Sequence, residues 1–498
     1  MRARRPEREP AIAVAALCLL GLVLRLLLLG SHSIWFDEAV TILAATRPGG
    51  EFLLAEPPLF TWLLRGWLAL PLPSSEFITR LLPALLGAAS LPFAYRVARE
   101  WLPSRGALLA LALLACSPWE IAFAQEARMY SLVTLLTLFS TYALLRARAA
   151  APYQWMAAYA LAVALGGLAH PGFFMILPAH LIMLLLHSQR KNTPSPPRRG
   201  GEGRVRGVPF LLVGAAIIGA LPGLLWLSAL RPALAHTLAH PAESPRMVLQ
   251  FLLEILEAWG PGPLLAPAAR PVGLLAFAAA FALGLFSLKR KPAFVLATLS
   301  LLPPALLPVL VATGFLQAPM LRYAAGAHFF FLLAIAAPAF QVRSLRWLFM
   351  GGLLALNAAS LGAWYMGAPP MHGLIPSKKP LREVALFIIS RSQKGDTVAS
   401  VSPSSSAPLK LYLPRGTPQS YILRDPTIPT AMEKLTGSPV PLARSIRGAK
   451  RVWMVVSPVR FGDAPEIPGE LMPEINRLLE TPLRYSFPGV DLYLSAVR

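Results

Sequence analysis

Apolar residues in this chain come in long blocks rather than in strand-like alternation. Runs of about 18 or more mostly apolar residues recur from Ala11 to Tyr365, and a helix of about 20 such residues crosses a hydrocarbon core about 30 Å thick. Lipid offers no partners to backbone N–H and C=O groups, so a helix, which satisfies them within its own segment, suits each block. The blocks predict spans at 11–29, 77–95, 106–123, 130–146, 154–169, 172–187, 209–229, 271–288, 293–312, 324–340 and 347–365, about 11 in all. The segment from Pro57 to Leu70 is shorter, and Arg65 interrupts it. With Trp62 and Trp67 it suits the membrane–water boundary, where aromatic rings and snorkelling cations are at home. Residues 30–76 therefore read as one long outside loop carrying interfacial helices.

From about Pro376 the pattern becomes that of a soluble domain. Leu381, Val384, Ala385, Ile388 and Ile389 keep helical spacing. The runs Asp396 to Val401, Lys410 to Leu413 and Arg451 to Val456 predict short strands. The expected fold class is thus an α-helical polytopic membrane protein, residues 1–375, with a small C-terminal α/β domain, residues 376–498. Between spans, residues 188–208 are rich in Pro, Gly, Ser and Arg and cannot build a core, so they read as a disordered cytoplasmic loop.

Composition agrees with lipid as the main solvent: 55% of residues are hydrophobic and 14% charged, against roughly 25% charged in a soluble domain. A net charge of +22 raises the question of nucleic acid, but a binder needs its basic residues on a polar, aromatic-dotted face, and none is visible. The Lys and Arg residues instead crowd segments 1–10, 96–105, 147–153, 188–208, 289–292 and 341–346. That asymmetry predicts a multi-pass protein of the inner cell membrane with a cytoplasmic N-terminus and the terminal domain outside. Cys18 and Cys116 lie in apolar runs and read as small hydrophobes. The first apolar run is long and ends in no small-residue cleavage site, so it reads as a retained helix.

On this topology the unusual polar residues share one side. The first outside loop carries Trp35, Phe36, Asp37, Glu38 and Ala39, then Glu56-Pro57-Pro58-Leu59. The second carries Gln125-Glu126-Ala127-Arg128-Met129-Tyr130, the third turn His170-Pro171-Gly172, and the loop before the tenth span Arg322-Tyr323. Adjacent acids on a helix point about 100° apart, so one of Asp37 and Glu38 faces a given cavity. A carboxylate there can act as general base. Arg128 and Arg322 can hold a phosphate through paired N–H donors. Each residue also has a plainer role: Arg128 pairing with Glu126 or Asp37, His170 making a hydrogen bond at a helix end, Tyr130 and Tyr323 anchoring at the interface. His236, His240 and Glu243 have ligand-like spacing, but Pro241 breaks any helix there.

These motifs in this order resemble the polyprenyl-phosphate-sugar-dependent glycosyltransferases of the GT-C fold, the group of protein mannosyltransferases and lipid A aminoarabinose transferases, especially its bacterial family 39 branch. The resemblance runs from the Arg25 helix through Trp35 to Ala39, Pro57-Pro58-Leu59, Glu76 to Arg80, Ser117-Pro118, Gln125 to Tyr130, His170 and Arg322-Tyr323 to the terminal domain. It implies an inverting transferase that moves a sugar from a polyprenyl-phosphate donor to a glycan, lipid or protein acceptor. By motif match Asp37 is the base, Glu38 a second acid, and Arg128, Tyr130, Arg322 and Tyr323 contact the donor or shape the site, with Arg322 the preferred phosphate contact. Relatives carry His or Lys where this chain has Glu56 before the Pro-Pro-Leu segment, which puts donor binding there, and any divalent metal, in question. A transporter or lipid flippase is the rival reading, but such proteins show repeat symmetry and mid-membrane ionisable residues.

Overall fold

The computed structural model describes residues 10–47, 56–149, 152–188, 208–235, 270–312, 320–340, 346–366, 379–423, 436–457 and 466–498, with a few positions at 253–260 and Glu433. The loop expected at 188–208, apart from its two end residues, and the 236–243 stretch lie outside them.

The helices, in chain order, are α1 (Ala11–Leu26), α2 (Phe36–Thr46), α3 (Pro58–Leu68), α4 (Glu76–Ala98), α5 (Ser104–Ala115), α6 (Pro118–Ala124), α7 (Tyr130–Ala149), α8 (Pro152–Ala169), α9 (Leu177–Ser188), α10 (Val208–Ala235), α11 (Arg270–Ser287), α12 (Arg290–Ala312), α13 (His328–Ala336) and α14 (Arg346–Tyr365). Among the described residues six helices are long and apolar enough to cross a membrane, and a seventh span results if α5 and α6 count together. Four shorter apolar helices, Ala11–Leu26, Tyr153–Ala169, Pro171–Leu186 and Pro271–Ser287, occupy the other predicted blocks.

Two details of the apolar helices differ from the sequence reading. The block 106–123 is not one straight helix, because α5 and α6 are bent by 52°. Cys116 and Ser117 leave the helix, Ser117 Oγ accepts the Glu120 N–H at 3.4 Å, and Pro118 starts α6 at a position where no N–H is needed. Arg322 and Tyr323 lie on a 3-10 segment, Leu321–Ala327, that kinks at Ala324 and runs on into α13, rather than in a loop.

The chain divides into two compact units. One holds Met1–Leu27, Leu81–Ala229 and Leu238–Leu374; the other holds Leu28–Arg80, Leu230–Thr237 and Ile375–Arg498. In the second unit α15 (Leu381–Arg391), α16 (Pro403–Tyr412), α17 (Leu442–Ser445) and α18 (Met472–Leu478) surround a five-stranded sheet. Its strands are β1 (Asp396–Ser400), β2 (Gln419–Tyr421), β3 (Arg451–Val456), β4 (Leu483–Phe487) and β5 (Val490–Ala496), in the order β2-β1-β3-β5-β4. The first two pairings are parallel and the last two antiparallel. β3 is buried on both faces, with Trp453 and Val455 in one core and Val452, Met454 and Val456 in the other, which its unbroken apolar run encodes.

Of the predicted elements, β1, β3 and the helix from Leu381 form. Lys410 to Leu413 does not extend as a strand: it completes α16 and its C-cap, because Leu409 and Leu413, spaced i and i+4, both reach the core. Ile389 leaves the helical stripe and is 40% exposed. The segment from Pro58 to Leu68 forms a helix, α3, with Trp62 and Leu63 exposed and the Trp67 indole donating to Ile78 O at 2.8 Å.

Candidate functional site

The nine residues singled out in the sequence fall into two sets, one in each unit: Asp37, Glu38 and Glu56, and then Glu126, Arg128, Tyr130, His170, Arg322 and Tyr323.

The first set is built on α2. After α1 the chain turns at Leu28, whose φ of 56° is in the left-handed region, and Ser31 closes the turn on Leu28 O. Residues Ser33 to Trp35 run without regular structure to the start of α2. Asp37 and Glu38 occupy its first turn, where a carboxylate meets the positive end of the helix dipole. Their fates differ. Glu38 is fully buried and takes both ends of the Arg80 guanidinium, Nε to Oε1 at 2.8 Å and Nη2 to Oε2 at 2.7 Å. Arg80 spends its other N–H groups on the carbonyls of Leu29 (3.2 Å), His32 (2.7 Å) and Ser33 (3.0 Å). One buried cation thereby fixes both the acid and the approach to α2. Asp37 is half-buried and reaches the surface of its unit.

Glu56 is buried, and its Oε2 accepts the Thr41 hydroxyl at 3.0 Å, a hydroxyl that also lies 3.0 Å from Asp37 O. α2 and α3 are further tied by Arg65, which donates to Ala44 O, Ala45 O and Arg47 O. Position 56 is therefore an acid inside a polar joint between two helices.

The second set lies around a break in the apolar helices. The Gln125 amide donates to Arg25 O (3.2 Å) and Leu27 O (2.7 Å), satisfying orphan carbonyls at the end of α1 and holding the turn that carries Glu126 and Arg128. Both are buried, so they are not solvated loop charges. Tyr130 opens α7, and its ring lies 5.9 Å from that of His170, which lies 4.8 Å from Tyr323. His170 caps a 3-10 helix (Pro171–Ile176), its Nδ1 accepting the Gly172 N–H at 2.9 Å. Burial, reinforced by the charges of Arg128 and Arg322, pushes this imidazole down to about 3, so it is neutral and its Nδ1 serves as acceptor. Gly172 has no room for a side chain: a Cβ there would lie 2.2 Å from Tyr323 O. That contact brings His170 and Tyr323 together.

The apolar helices also bury several ionisable groups, among them Arg25, Glu120, His180 and His328. Arg25 is fully buried and donates to Gly21 O (2.9 Å) and Ala115 O (3.1 Å). Glu120 Oε1 meets His328 Nδ1 at 2.9 Å, both side chains buried. Their signal in the sequence was a charge within an apolar block, where burial demands a partner. Among the described residues no three His, Cys, Asp or Glu side chains converge as a metal site requires.

Residues 55–197 match the family model described as dolichyl-phosphate-mannose-protein mannosyltransferase. The fold is similar to that of ArnT from Cupriavidus metallidurans in its apo state, with a TM-score of 0.62 at 14% identity over 97% of both chains. For ArnT bound to undecaprenyl phosphate the TM-score is 0.64 at 14% identity over 98% of both chains. The Archaeoglobus fulgidus oligosaccharyltransferase in complex with zinc and sulfate aligns at a TM-score of 0.50 and 13% identity, over 97% of this chain and 72% of that one. No curated protein sequence matches the chain. The chain thus has the GT-C fold of these membrane glycosyltransferases, and its residues 55–197 match the mannosyltransferase family model.

Proposed function

We propose that this protein is an inverting membrane glycosyltransferase that takes a sugar from a polyprenyl-phosphate carrier and delivers it to an acceptor on the extracytoplasmic face. The observation that carries this reading is the unequal treatment of the two adjacent acids: Glu38 is locked on Arg80, and Asp37 is presented beside it at the head of α2. The Arg80–Glu38 pair anchors the first turn of the helix that carries Asp37, and general-base work depends on position.

In the proposed reaction the acceptor oxygen or nitrogen attacks the anomeric carbon and gives its proton to the Asp37 carboxylate. The bond from that carbon to the phosphate oxygen breaks, and its electron pair leaves on polyprenyl phosphate. Inversion follows from a single displacement. Arg322 and Arg128 are assigned to the leaving phosphate, whose growing charge two guanidiniums stabilise. Neutral His170, with Tyr130 and Tyr323, shapes the wall beside them. Glu38 supports Asp37 and takes no proton. Glu56 acts on the α2 to α3 joint through Thr41 rather than on the donor.

The test uses full-length protein in liposomes, supplied with labelled undecaprenyl-phosphate mannose, glucose or aminoarabinose and an envelope extract as acceptor. Asp37→Asn is expected to lower kcat by about 10²- to 10⁴-fold, the usual worth of a general base. Undiminished transfer by that variant refutes the assignment. A transporter or flippase is the second reading, favoured by the buried Arg25, Glu120 and His328. It predicts movement of undecaprenyl phosphate across the bilayer by the Asp37→Asn variant at the normal rate.

A further inference from the structure

The segment Gly30 to Ile34, just before the Asp37 motif, has little regular structure of its own, so its backbone groups need partners from elsewhere. Arg80 takes the carbonyls of Leu29, His32 and Ser33. The C-terminal α/β domain takes three more. Arg382, in the first turn of α15, donates from Nη1 to Gly30 O (3.3 Å) and from Nη2 to Ser31 O (3.3 Å). The same guanidinium reaches Glu76 Oε1 and Glu383 Oε1, each at 3.1 Å. Ser33 Oγ donates to Glu383 Oε2 at 3.0 Å and accepts the Arg382 N–H at 3.1 Å. Tyr412, the last residue of α16, accepts the Ile34 N–H at 2.6 Å and donates its own proton to Glu76 Oε1 at 3.0 Å. Burial raises this phenol above its ordinary range, which keeps that proton in place. α16 also packs along α2 itself.

We infer that the C-terminal α/β domain positions the catalytic loop: Arg382 and Tyr412 pin Gly30 to Ile34 and so set where Asp37, three residues further on, meets the acceptor. The inference rests on the reading of Asp37 as base. Neither residue is assigned to substrate; they act through the backbone that leads into α2. A pinned backbone matters because a displacement of about 1 Å at a reacting group costs on the order of 10²-fold in rate.

The experiment uses the full-length protein and the labelled undecaprenyl-phosphate sugars already named. Tyr412→Phe keeps the ring and deletes the hydroxyl that joins Ile34 to Glu76. Its kcat is expected to fall about 10- to 100-fold, with donor KM within about twofold of wild type, the pattern of lost positioning rather than lost binding. Arg382→Lys keeps the charge, but one ammonium cannot serve two carbonyls and two carboxylates, so it stays impaired. Glu76→Gln leaves an oxygen to accept from Tyr412 but loses the charge that pairs with Arg382, so its fall in kcat is expected to be smaller than that of Tyr412→Phe; Arg382→Lys carries the test if Tyr412→Phe melts early. The decisive comparison combines Tyr412→Phe with Asp37→Asn. If Tyr412 works through Asp37, the double variant is no slower than Asp37→Asn alone. Losses that multiply, or wild-type kcat in both Tyr412→Phe and Arg382→Lys while Asp37→Asn is dead, overturn the inference and leave the assigned base standing. Wild-type transfer by Asp37→Asn overturns both.

Discussion

Arg80→Met isolates the clamp under the Asp37 motif. The substitution keeps a long apolar stem but removes the partner of a fully buried Glu38 and the donor to three backbone carbonyls. Breaking a buried pair by deleting one member costs about 3–5 kcal/mol. The carboxylate part has a ceiling, because a stranded acid can take up a proton. At about 1.36 kcal/mol for each pH unit above an ordinary glutamate's 4.3, that escape costs about 3.7 kcal/mol at pH 7 and about 1 kcal/mol at pH 5. The carbonyls add a part that does not depend on pH. Hydrogen exchange of the α2 amides from Ala39 to Ala45 reads the effect locally, without assuming that a membrane protein unfolds in two states. Protection should fall by roughly 10²- to 10³-fold at pH 7, and the deficit should shrink by at least tenfold at pH 5. Wild-type protection at pH 7, or a deficit that ignores pH, would refute the idea that an uncompensated carboxylate is what the clamp prevents.

Gly172→Ala must push apart two 3-10 helices, since the new methyl would meet Tyr323 O at 2.2 Å; a loss of sugar transfer together with a lower unfolding temperature is expected, and normal values of both would refute it. Burial, helped by the charge of Arg47, pulls Lys410 down to about 8, below the 10.5 of an ordinary lysine. Between those values the unfolded chain holds the extra proton, so this group's contribution makes stability rise from about pH 8 to about 10.5; Lys410→Met should flatten that slope in unfolding midpoints measured across the range. For the Glu120 and His328 pair, a double-mutant cycle with Glu120→Gln and His328→Phe should give a coupling of about 1–3 kcal/mol in detergent unfolding, and additive effects would show that the contact is idle.

The architecture was legible where hydrophobic period and backbone need coincide. Most residues of the apolar blocks are helical, because a long apolar run in lipid has one economical backbone. β3 was readable because burial on both faces leaves Arg451 to Val456 almost wholly apolar. The run Lys410 to Leu413 is ambiguous in sequence because four residues cannot separate a strand from the end of a helix, and the helix that claims it starts well upstream at Pro403. The bend at Ser117-Pro118 was present as a cap followed by proline, yet the flanking apolar residues masked it. In the site, the residue types around Asp37 were visible in the sequence. That Arg80 serves Glu38 was not, because 42 residues separate them and no periodicity links them. The pairing of Ile34 with Tyr412 spans 378 residues, and only the folded chain reports it.

The clamp on Glu38 makes the acidic dipeptide direction-sensitive. Exchanging the two letters, so that Glu stands at 37 and Asp at 38, would preserve charge, composition and hydropathy. The shorter acid would then sit one methylene short of Arg80, and the longer one would swing on an extra bond at the surface. A transposition invisible to every bulk descriptor of the sequence would loosen the anchor and the acid beside it at once.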